Sequence, residues 1–243
     1  MSRHCVQISW DEVPHLDEAT KASLLEGILP HMRDARTKGI PMLGAGAIYP
    51  VPESAVVVDP FAIPKYWPIA YGLDVGWNRT AAVWGAWDQQ SDTVYIWSEH
   101  YMGEAPPAVH AASVMARGAW VVGAIDPASA GSSQKDGSKL MDEYRAIGLR
   151  LVAADNAVDA GIFAVYQRLS QGRLKIFSTC RNTLAEYRIY RRDEKGKIVK
   201  ENDHAMDALR YLVMTGMLHA RTEPAEDDEY DFGRMTRSSV TGY

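Results

Sequence analysis

The stretch Ile69–Thr80 constrains the fold of this chain more than any other part of the sequence. Residues 69–75 are apolar except for Asp74, and such a short apolar run predicts a buried strand. A second apolar run, Ala81–Trp87, follows at once, so we expect the two strands to pair as an antiparallel hairpin. A carboxylate in a buried strand is costly unless it is paired or binds a metal ion. Asp74 is therefore a candidate metal ligand, and the alternative is an ordinary turn residue at a strand end.

Two later segments carry carboxylates in comparable positions. The run Trp120–Ile125 predicts a buried strand that ends at Asp126, although an Asp before a proline can also simply cap a loop. A helix predicted from Asn202 to about residue 219 has three polar side chains in its first turns, namely Asp203, His204 and Asp207. Spacings of three and four residues place them on one helix face. The carboxylates at the two strand ends and the one in the first turns of this helix together form a hard-oxygen cluster of the kind that suits Mg²⁺ or Mn²⁺.

The members of this cluster differ in how strongly they point to a metal. Asp207 lies one turn inside the helix, where Asp is unfavourable by propensity, so we select it as the third ligand. Asp203 is equally explained as the helix N-cap. His204 fits either a direct ligand or a residue that supports one. Because like charges repel, we expect removal of one carboxylate to raise the stability of the metal-free protein.

The three segments, in this order and spacing, resemble the nuclease domain of the large terminase subunit of tailed phages, which has an RNase H-like (RuvC-like) fold. The resemblance spans about residues 10–217 and is carried by three motifs: Tyr71–Gly76, Asp126–Ser129 and Asp203–Tyr211. It implies that Asp74, Asp126 and Asp207 are the acidic triad and that two Mg²⁺ or Mn²⁺ ions are used. It also implies double-stranded DNA as substrate, the portal protein and the small terminase subunit as partners, and the host cytoplasm as location.

The remaining pattern predicts an α/β fold with a central mixed sheet flanked by helices. Three strands form an antiparallel meander, Ile69–Val75, Ala81–Trp87 and Thr93–His100, and later strands add in parallel. We expect three parts: residues 1–67, the end of an ATPase domain and a Pro-rich connector; residues 68–220, the nuclease domain; and residues 221–243, an acidic tail without fixed structure. The assignment of residues 1–67 to an ATPase domain rests on the resemblance.

Charge is segregated along the chain. Residues 168–200 hold ten basic and three acidic residues, a net charge of +7 against −5 for the whole chain, so the rest carries −12. Such a segment can attract a phosphate backbone, although a solvated basic face explains it too. We select as DNA-binding candidates four residues of a predicted hairpin and one loop lysine: Arg191, Arg192, Lys195, Lys197 and Lys135. For Lys135, an ordinary solvated lysine is the plainer explanation.

Other function classes lack their signatures in this sequence. No Gly-x-x-x-x-Gly-Lys-Ser/Thr motif occurs, so we expect no ATP hydrolysis. No apolar run approaches the roughly 18 residues that a membrane span needs. The sequence therefore predicts a metal-dependent endonuclease. The alternatives are another RNase H-like nuclease, such as a junction resolvase or hybrid nuclease, and a DNA-clamping or portal-docking module without catalysis.

Overall fold

A single mixed sheet of seven strands organises the structure, a computed structural model. It describes residues 46–126, 140–193 and 195–224, together with nine single positions before residue 46. The strand order is β1-β7-β4-β3-β2-β5-β6. The strands are β1 (Val57–Val58), β2 (Ile69–Asp74), β3 (Thr80–Asp88), β4 (Thr93–Met102), β5 (Val122–Ile125), β6 (Arg150–Ala153) and β7 (Leu174–Phe177). The predicted class, a mixed sheet flanked by helices, is confirmed.

The antiparallel meander of β2, β3 and β4 forms the centre of the sheet. Asp74 pairs with Ala81, and Asp88 pairs with Thr93, so both turns are short. Strands β3 and β4 run one to two residues beyond their predicted bounds because their ladder continues into the turns, whereas β2 ends at Asp74, one residue before the predicted end. The hydrophobic side chains of β2 and β3 are almost fully buried, which is why these runs read as nearly continuous apolar sequence.

Parallel strands flank the meander on both sides. β5 pairs with β2, with Leu73 opposite Ile125, and β6 pairs with β5. Because β2 and β5 are parallel neighbours, Asp74, the last residue of β2, and Asp126, the first residue after β5, lie at the same edge of the sheet.

Helices connect the strands and cover the sheet. They are α1 (Glu53–Val56), α2 (Pro107–Met115), α3 (Leu140–Ile147), α4 (Val158–Ser170), α5 (Arg181–Ile189) and α6 (His204–Met214), followed by a 3₁₀-helix at Gly216–His219. The expectation of one continuous helix to residue 219 is wrong, because Thr215 leaves the helical conformation (φ −129°, ψ −47°). Gly216 then lies against the sheet, where an added Cβ would be 3.2 Å from the carbonyl oxygen of Tyr71. No helix in the described ranges is long and apolar enough to cross a membrane.

The last part of the predicted connector is integrated with the sheet. β1 pairs with β7, and the amide of Ile48 donates to the carbonyl oxygen of Tyr190 over 3.0 Å. Tyr49 and Val56 are buried in the main core. The boundary predicted at residue 68 remains a prediction, as do the assignments of the parts on either side.

Helix α6 lies directly on strand β2. A Cβ built on Gly72 would stand 1.8 Å from the carbonyl oxygen of Ala208 and 2.8 Å from the amide nitrogen of Leu212. No side chain fits between the two backbones at this point, so glycine permits the contact. This close approach brings the first turn of α6 over the end of β2.

Candidate active site

Three carboxylates meet where β2, β5 and α6 come together. The amide of Asp126 donates to the carbonyl oxygen of Leu73 over 3.2 Å, which fixes the start of the loop after β5 beside the end of β2. The side chains of Asp74 and Asp207 are 14% and 11% exposed. The structure therefore brings together the three residues that the sequence selected, while their role as metal ligands stays a prediction.

The pKa of Asp74 reflects the closeness of the other two carboxylates. Burial raises the pKa of its carboxyl group, and the negative charges of Asp207 and Asp126 raise it further. The hydrogen bond from His204 acts in the opposite direction. A carboxylate with two further carboxylates close enough to act on it is an arrangement common at functional sites.

His204 is the direct neighbour of Asp74. Its Nδ1 atom lies 2.9 Å from Oδ2 of Asp74. This hydrogen bond raises the pKa of the His204 imidazole, burial lowers it, and the charges of Asp74, Glu186 and Asp203 raise it further. His204 thus lies at the site as predicted, in contact with a candidate ligand.

Asp207 is held by cations on both of its oxygens. Nη2 of Arg210 lies 3.0 Å from Oδ1, and Nζ of Lys200 lies 3.0 Å from Oδ2. Nζ of Lys200 is also 2.9 Å from Oδ2 of Asp203. Asp203 does stand at the N-cap position of α6, but its side chain makes no capping hydrogen bond. Asp203 therefore occupies the predicted N-cap position, but its side chain does not cap the helix.

Arg210 is a buried part of the site that the sequence analysis did not select. It is 1% exposed, and its Nη1 donates to Oδ1 of Asn156 over 3.0 Å. Its guanidinium also lies 4.7 Å from the centre of the Tyr211 ring. A Cβ at Gly161 of α4 would stand 2.4 Å from Cγ of Arg210, so this glycine leaves the space that the arginine occupies.

Tyr211 was also missed, although it lies within electrostatic reach of all three carboxylates. Burial raises the pKa of its hydroxyl group, and the charges of Asp126, Asp207 and Asp74 act in the same direction. Both Arg210 and Tyr211 follow Asp207 within one helical turn. An i, i+3 search for partners of the buried aspartate could have found Arg210.

The donor set fits a divalent cation by its chemistry. Carboxylate oxygens in excess are the ligands that Mg²⁺ and Mn²⁺ prefer. Within the described residues, no three His, Cys, Asp or Glu side chains stand close enough to hold an ion as they are. The protein's own cations, Lys200 and Arg210, and the imidazole of His204 engage the carboxylate oxygens instead.

The predicted hairpin before α6 is present. The amide of Asp193 donates to the carbonyl oxygen of Lys197 over 2.7 Å, and Gly196 adopts a positive φ of 76°. Arg191, Lys195 and Lys197 are exposed. Lys135 lies outside the described residues.

Arg192 differs from the other hairpin cations. It is half-buried, and its guanidinium donates to Oδ1 of Asp159 and to the carbonyl oxygen of Gly196, both over 2.9 Å. Three of the four hairpin candidates are thus exposed, and one is already paired.

Comparison with known proteins identifies relatives across most of the chain. Residues 71–215 match the family model of the terminase RNase H-like domain. The large terminase subunits of Enterobacteria phage LP7 and Salmonella phage P22 are each 31% identical over 229 aligned residues, and the match covers 88% of this chain. These residues cover 46% and 44% of the two relatives, so the chain spans about half the length of the curated relatives it matches.

Solved structures give the same result. The nuclease domain of the P22 large terminase is 30% identical, with a TM-score of 0.67, and the match covers 74% of this chain and 96% of that domain. The large terminase nuclease of thermophilic phage G20c with bound magnesium has a TM-score of 0.51 at 14% identity, covering 71% of this chain and 99% of that one. The second likeness shows the fold alone.

Proposed function

The chain belongs to the terminase RNase H-like domain family, the nuclease domain of phage large terminase subunits, and from this membership we propose that it is a divalent-metal-dependent endonuclease that cleaves double-stranded DNA during viral genome packaging. The observation that carries the proposal is the convergence of Asp74, Asp126 and Asp207 at one edge of the sheet, where burial and the charges of the other two carboxylates raise the pKa of Asp74. The relative from phage G20c has been solved with magnesium and with cobalt, which supports divalent metal use.

The proposed metal ligands are Asp74, Asp126 and Asp207, with His204 and Asp203 as further candidates. Two ions are expected, the number that the resemblance implies. When bound, Mg²⁺ or Mn²⁺ lowers the pKa of a coordinated water and neutralises charge on the phosphate.

The chain's own residues orient and compensate this set. His204 holds one oxygen of Asp74, and Arg210 holds one oxygen of Asp207 from the buried side. Lys200, whose side chain is 59% exposed, reaches the other oxygen of Asp207 from the solvent side. Arg191, Lys195 and Lys197 are available to contact the phosphate backbone near the site, and such contacts position DNA without reading its sequence.

The same proposal includes the setting of the reaction. Double-stranded DNA is the expected substrate, and the portal protein and the small terminase subunit are the expected partners, in the host cytoplasm. We expect no ATP hydrolysis by this chain, because its sequence has no phosphate-binding loop.

Nicking and linearisation of a supercoiled plasmid test the proposal. We expect cleavage with Mg²⁺ or Mn²⁺, and loss of cleavage in the single variants Asp74→Ala, Asp126→Ala and Asp207→Ala, each checked for folding by circular dichroism. Asp88→Ala is the matched control, because Asp88 also ends a central strand but lies at the opposite end of the sheet. A folded alanine variant that cleaves at the wild-type rate removes that residue from the site.

Two other outcomes would replace the proposal. Metal-independent binding of DNA without cleavage by the wild-type chain would indicate a clamping or docking module. Preference for a four-way junction or an RNA–DNA hybrid over a linear duplex would indicate another RNase H-like nuclease.

A further inference from the structure

The first turn of α6 is capped by a carboxylate from a different helix. Glu186 of α5 is 2% exposed, and its Oε2 accepts hydrogen bonds from the amides of Ala205 (2.6 Å) and Met206 (3.3 Å). Its other oxygen, Oε1, accepts a hydrogen bond from the hydroxyl of Tyr101 over 2.5 Å. Both oxygens of this buried side chain are therefore used.

Glu186 supplies the capping hydrogen bonds that the N-cap residue of α6 does not make. The first amides of a helix have no partner within the helix, and an anion is favoured at this end by the helix dipole. Asp203 stands at the N-cap but makes no capping bond, since its carboxylate is turned to Lys200. A buried carboxylate is expensive unless it is hydrogen-bonded, so the position of Glu186 is strongly tied to these amides and to Tyr101.

The capped amides belong to the part of α6 that carries the site. Ala205 and Met206 lie between His204 and Asp207, so a shift of these two peptide units moves both site residues. His204 in turn bonds Asp74 across the site. The cap therefore acts on the geometry between α6 and the end of β2.

Tyr101 connects Glu186 to the turn that follows Asp74. The guanidinium of Arg79 lies 4.7 Å from the centre of the Tyr101 ring. Arg79 belongs to the turn between β2 and β3, five residues after Asp74. Arg79, Tyr101 and Glu186 thus form a continuous set of contacts from the turn after Asp74 to the first turn of α6.

Helix α5 is itself held by strand β4 in the same manner. Glu99 of β4, two residues before Tyr101, accepts hydrogen bonds from the amides of Asn182 (2.9 Å) and Thr183 (2.8 Å) at the start of α5. β4 therefore fixes α5 through Glu99, and it fixes the side chain of Glu186 through Tyr101. The two contacts set where Glu186 stands relative to the sheet.

We propose that Glu186, held by Tyr101, is a positioning residue that sets the first turn of α6, and with it His204 and Asp207, relative to Asp74. The inference rests on the proposed nuclease function for its kinetic consequence. Its structural consequence, the order of the first turn of α6, is independent of that function.

The test compares Glu186→Ala, Glu186→Gln and a matched control, Glu53→Ala. Glu53 binds Arg188 on the same helix α5, with Nε at 2.6 Å and Nη2 at 2.5 Å from its oxygens. Glu53 lies on α1, so its replacement removes a carboxylate that binds α5 and leaves α6 untouched. The measurements are amide hydrogen exchange at Ala205 and Met206, Mg²⁺ binding by calorimetry, and plasmid nicking with kcat and KM determined separately.

For Glu186→Ala we expect exchange at the two amides to be faster by about tenfold or more, because their cap is lost. We expect Mg²⁺ binding to weaken by about tenfold, as for other residues that orient ligands. The nicking kcat should fall by about tenfold or more, with KM for DNA unchanged within about twofold. Glu186→Gln keeps an oxygen for the helix amides and an NH₂ group that can donate to Tyr101, so it should recover most of each loss.

Three results would overturn the inference: unchanged exchange and Mg²⁺ binding in Glu186→Ala, no recovery in the glutamine variant, or an equal loss in Glu53→Ala, which would indicate general destabilisation. If Glu186→Ala does not fold, Tyr101→Phe removes only the hydroxyl that holds Glu186 and should give smaller changes in the same direction. Absence of nicking by the wild-type chain would refute the proposed function, while exchange and Mg²⁺ binding would still decide the role of Glu186.

Discussion

At the scale of single residues, the site consists of carboxylates and the cationic side chains that pair with them. Asp74, Asp126 and Asp207 could be selected from the sequence, because carboxylates at the ends of apolar strands and inside a helix are unusual. Of their partners, Arg210 could have been found from its i, i+3 spacing to Asp207, whereas Lys200 resembles any other basic residue in a loop. Glu186 is also typical in sequence of a solvated helix surface, although it is 2% exposed. The burial of Arg210 and Glu186 depends on which elements pack against them, and Lys200 stays 59% exposed.

The pairing of Asp207 with Arg210 reverses one expectation drawn from the sequence. Repulsion among the acids predicts that Asp207→Ala stabilises the metal-free protein, but it would leave a 1% exposed guanidinium without its carboxylate. We expect Asp207→Ala to lower the free energy of unfolding by about 3 kcal/mol, the scale for breaking a buried ion pair. Asp207→Asn keeps an acceptor for Nη2 and should cost about 1 kcal/mol. Urea denaturation in chelator measures both, and a more stable alanine variant would restore the sequence-based view.

His204 gives a second prediction at this scale. The hydrogen bond with Asp74 raises its pKa above 6.5, so the protonated form is favoured in the folded chain. The stabilisation is therefore present in full below pH 6.5 and is lost as pH rises through the raised pKa. In Asp74→Asn, the charge is gone, and the pKa of His204 should fall.

The measurement is the pH titration of the His204 ring protons by NMR in chelator. His110, whose pKa is lowered by burial elsewhere in the fold, is the internal control and should titrate identically in both proteins. A His204 pKa that does not change between wild type and Asp74→Asn would show that the two side chains are not bonded in solution.

At the scale of elements, the site depends on how closely α6 approaches β2. The strands of the meander were predictable, because alternation of short apolar runs with turn residues is a local signal. The end of α6 at Met214 and the pairing of β1 with β7 were not, because each is decided by contacts with residues distant in sequence. In the sequence, Gly72 is noticed only as part of a motif. The structure shows why a glycine stands there, because the backbone of Ala208 leaves no room for a side chain.

We expect Gly72→Ala to destabilise the protein by more than about 3 kcal/mol, since backbone cannot yield as a flexible side chain does. The added Cβ would stand 1.8 Å from the carbonyl oxygen of Ala208 and would push α6 away from the site. Gly172→Ala is the matched control: its φ is +71°, and the nearest atom, Nζ of Lys175, is 3.8 Å away. That variant should cost only about 1 kcal/mol for backbone conformation. Equal losses in the two would indicate that the close contact does not exist.

At the scale of the whole molecule, the proposed activity requires a divalent metal ion held by ligands from three separate elements. We expect nicking with Mg²⁺ or Mn²⁺ and little with Ca²⁺, because Ca²⁺ takes longer bonds and a looser geometry. Ca²⁺ should still support DNA binding, measured by fluorescence anisotropy. Treatment with chelator should abolish nicking, and added Mg²⁺ should restore it. Full cleavage in chelator would exclude a metal-dependent mechanism.

The charge of the whole molecule predicts weak and salt-sensitive DNA binding. The +7 of residues 168–200 is opposed by −12 elsewhere, so binding should depend on a few local phosphate contacts. Each hairpin cation that contacts one phosphate of duplex DNA should, when replaced by alanine, flatten the log–log salt dependence by about 0.9. We expect this for Arg191, Lys195 and Lys197, which are exposed, and a smaller change for Arg192, which is paired with Asp159.

Lys175→Ala is the matched control for this series, because Lys175 belongs to the same basic segment but lies on β7 and donates to the carbonyl oxygen of Ala55 over 2.7 Å. Its slope should equal that of the wild-type protein. The measurement is the dissociation constant for a short duplex across a salt series, with Ca²⁺ present to prevent cleavage. Unchanged slopes in all hairpin variants would show that the hairpin does not contact DNA, and a change in Lys175→Ala as large as theirs would show that the segment acts only through its total charge.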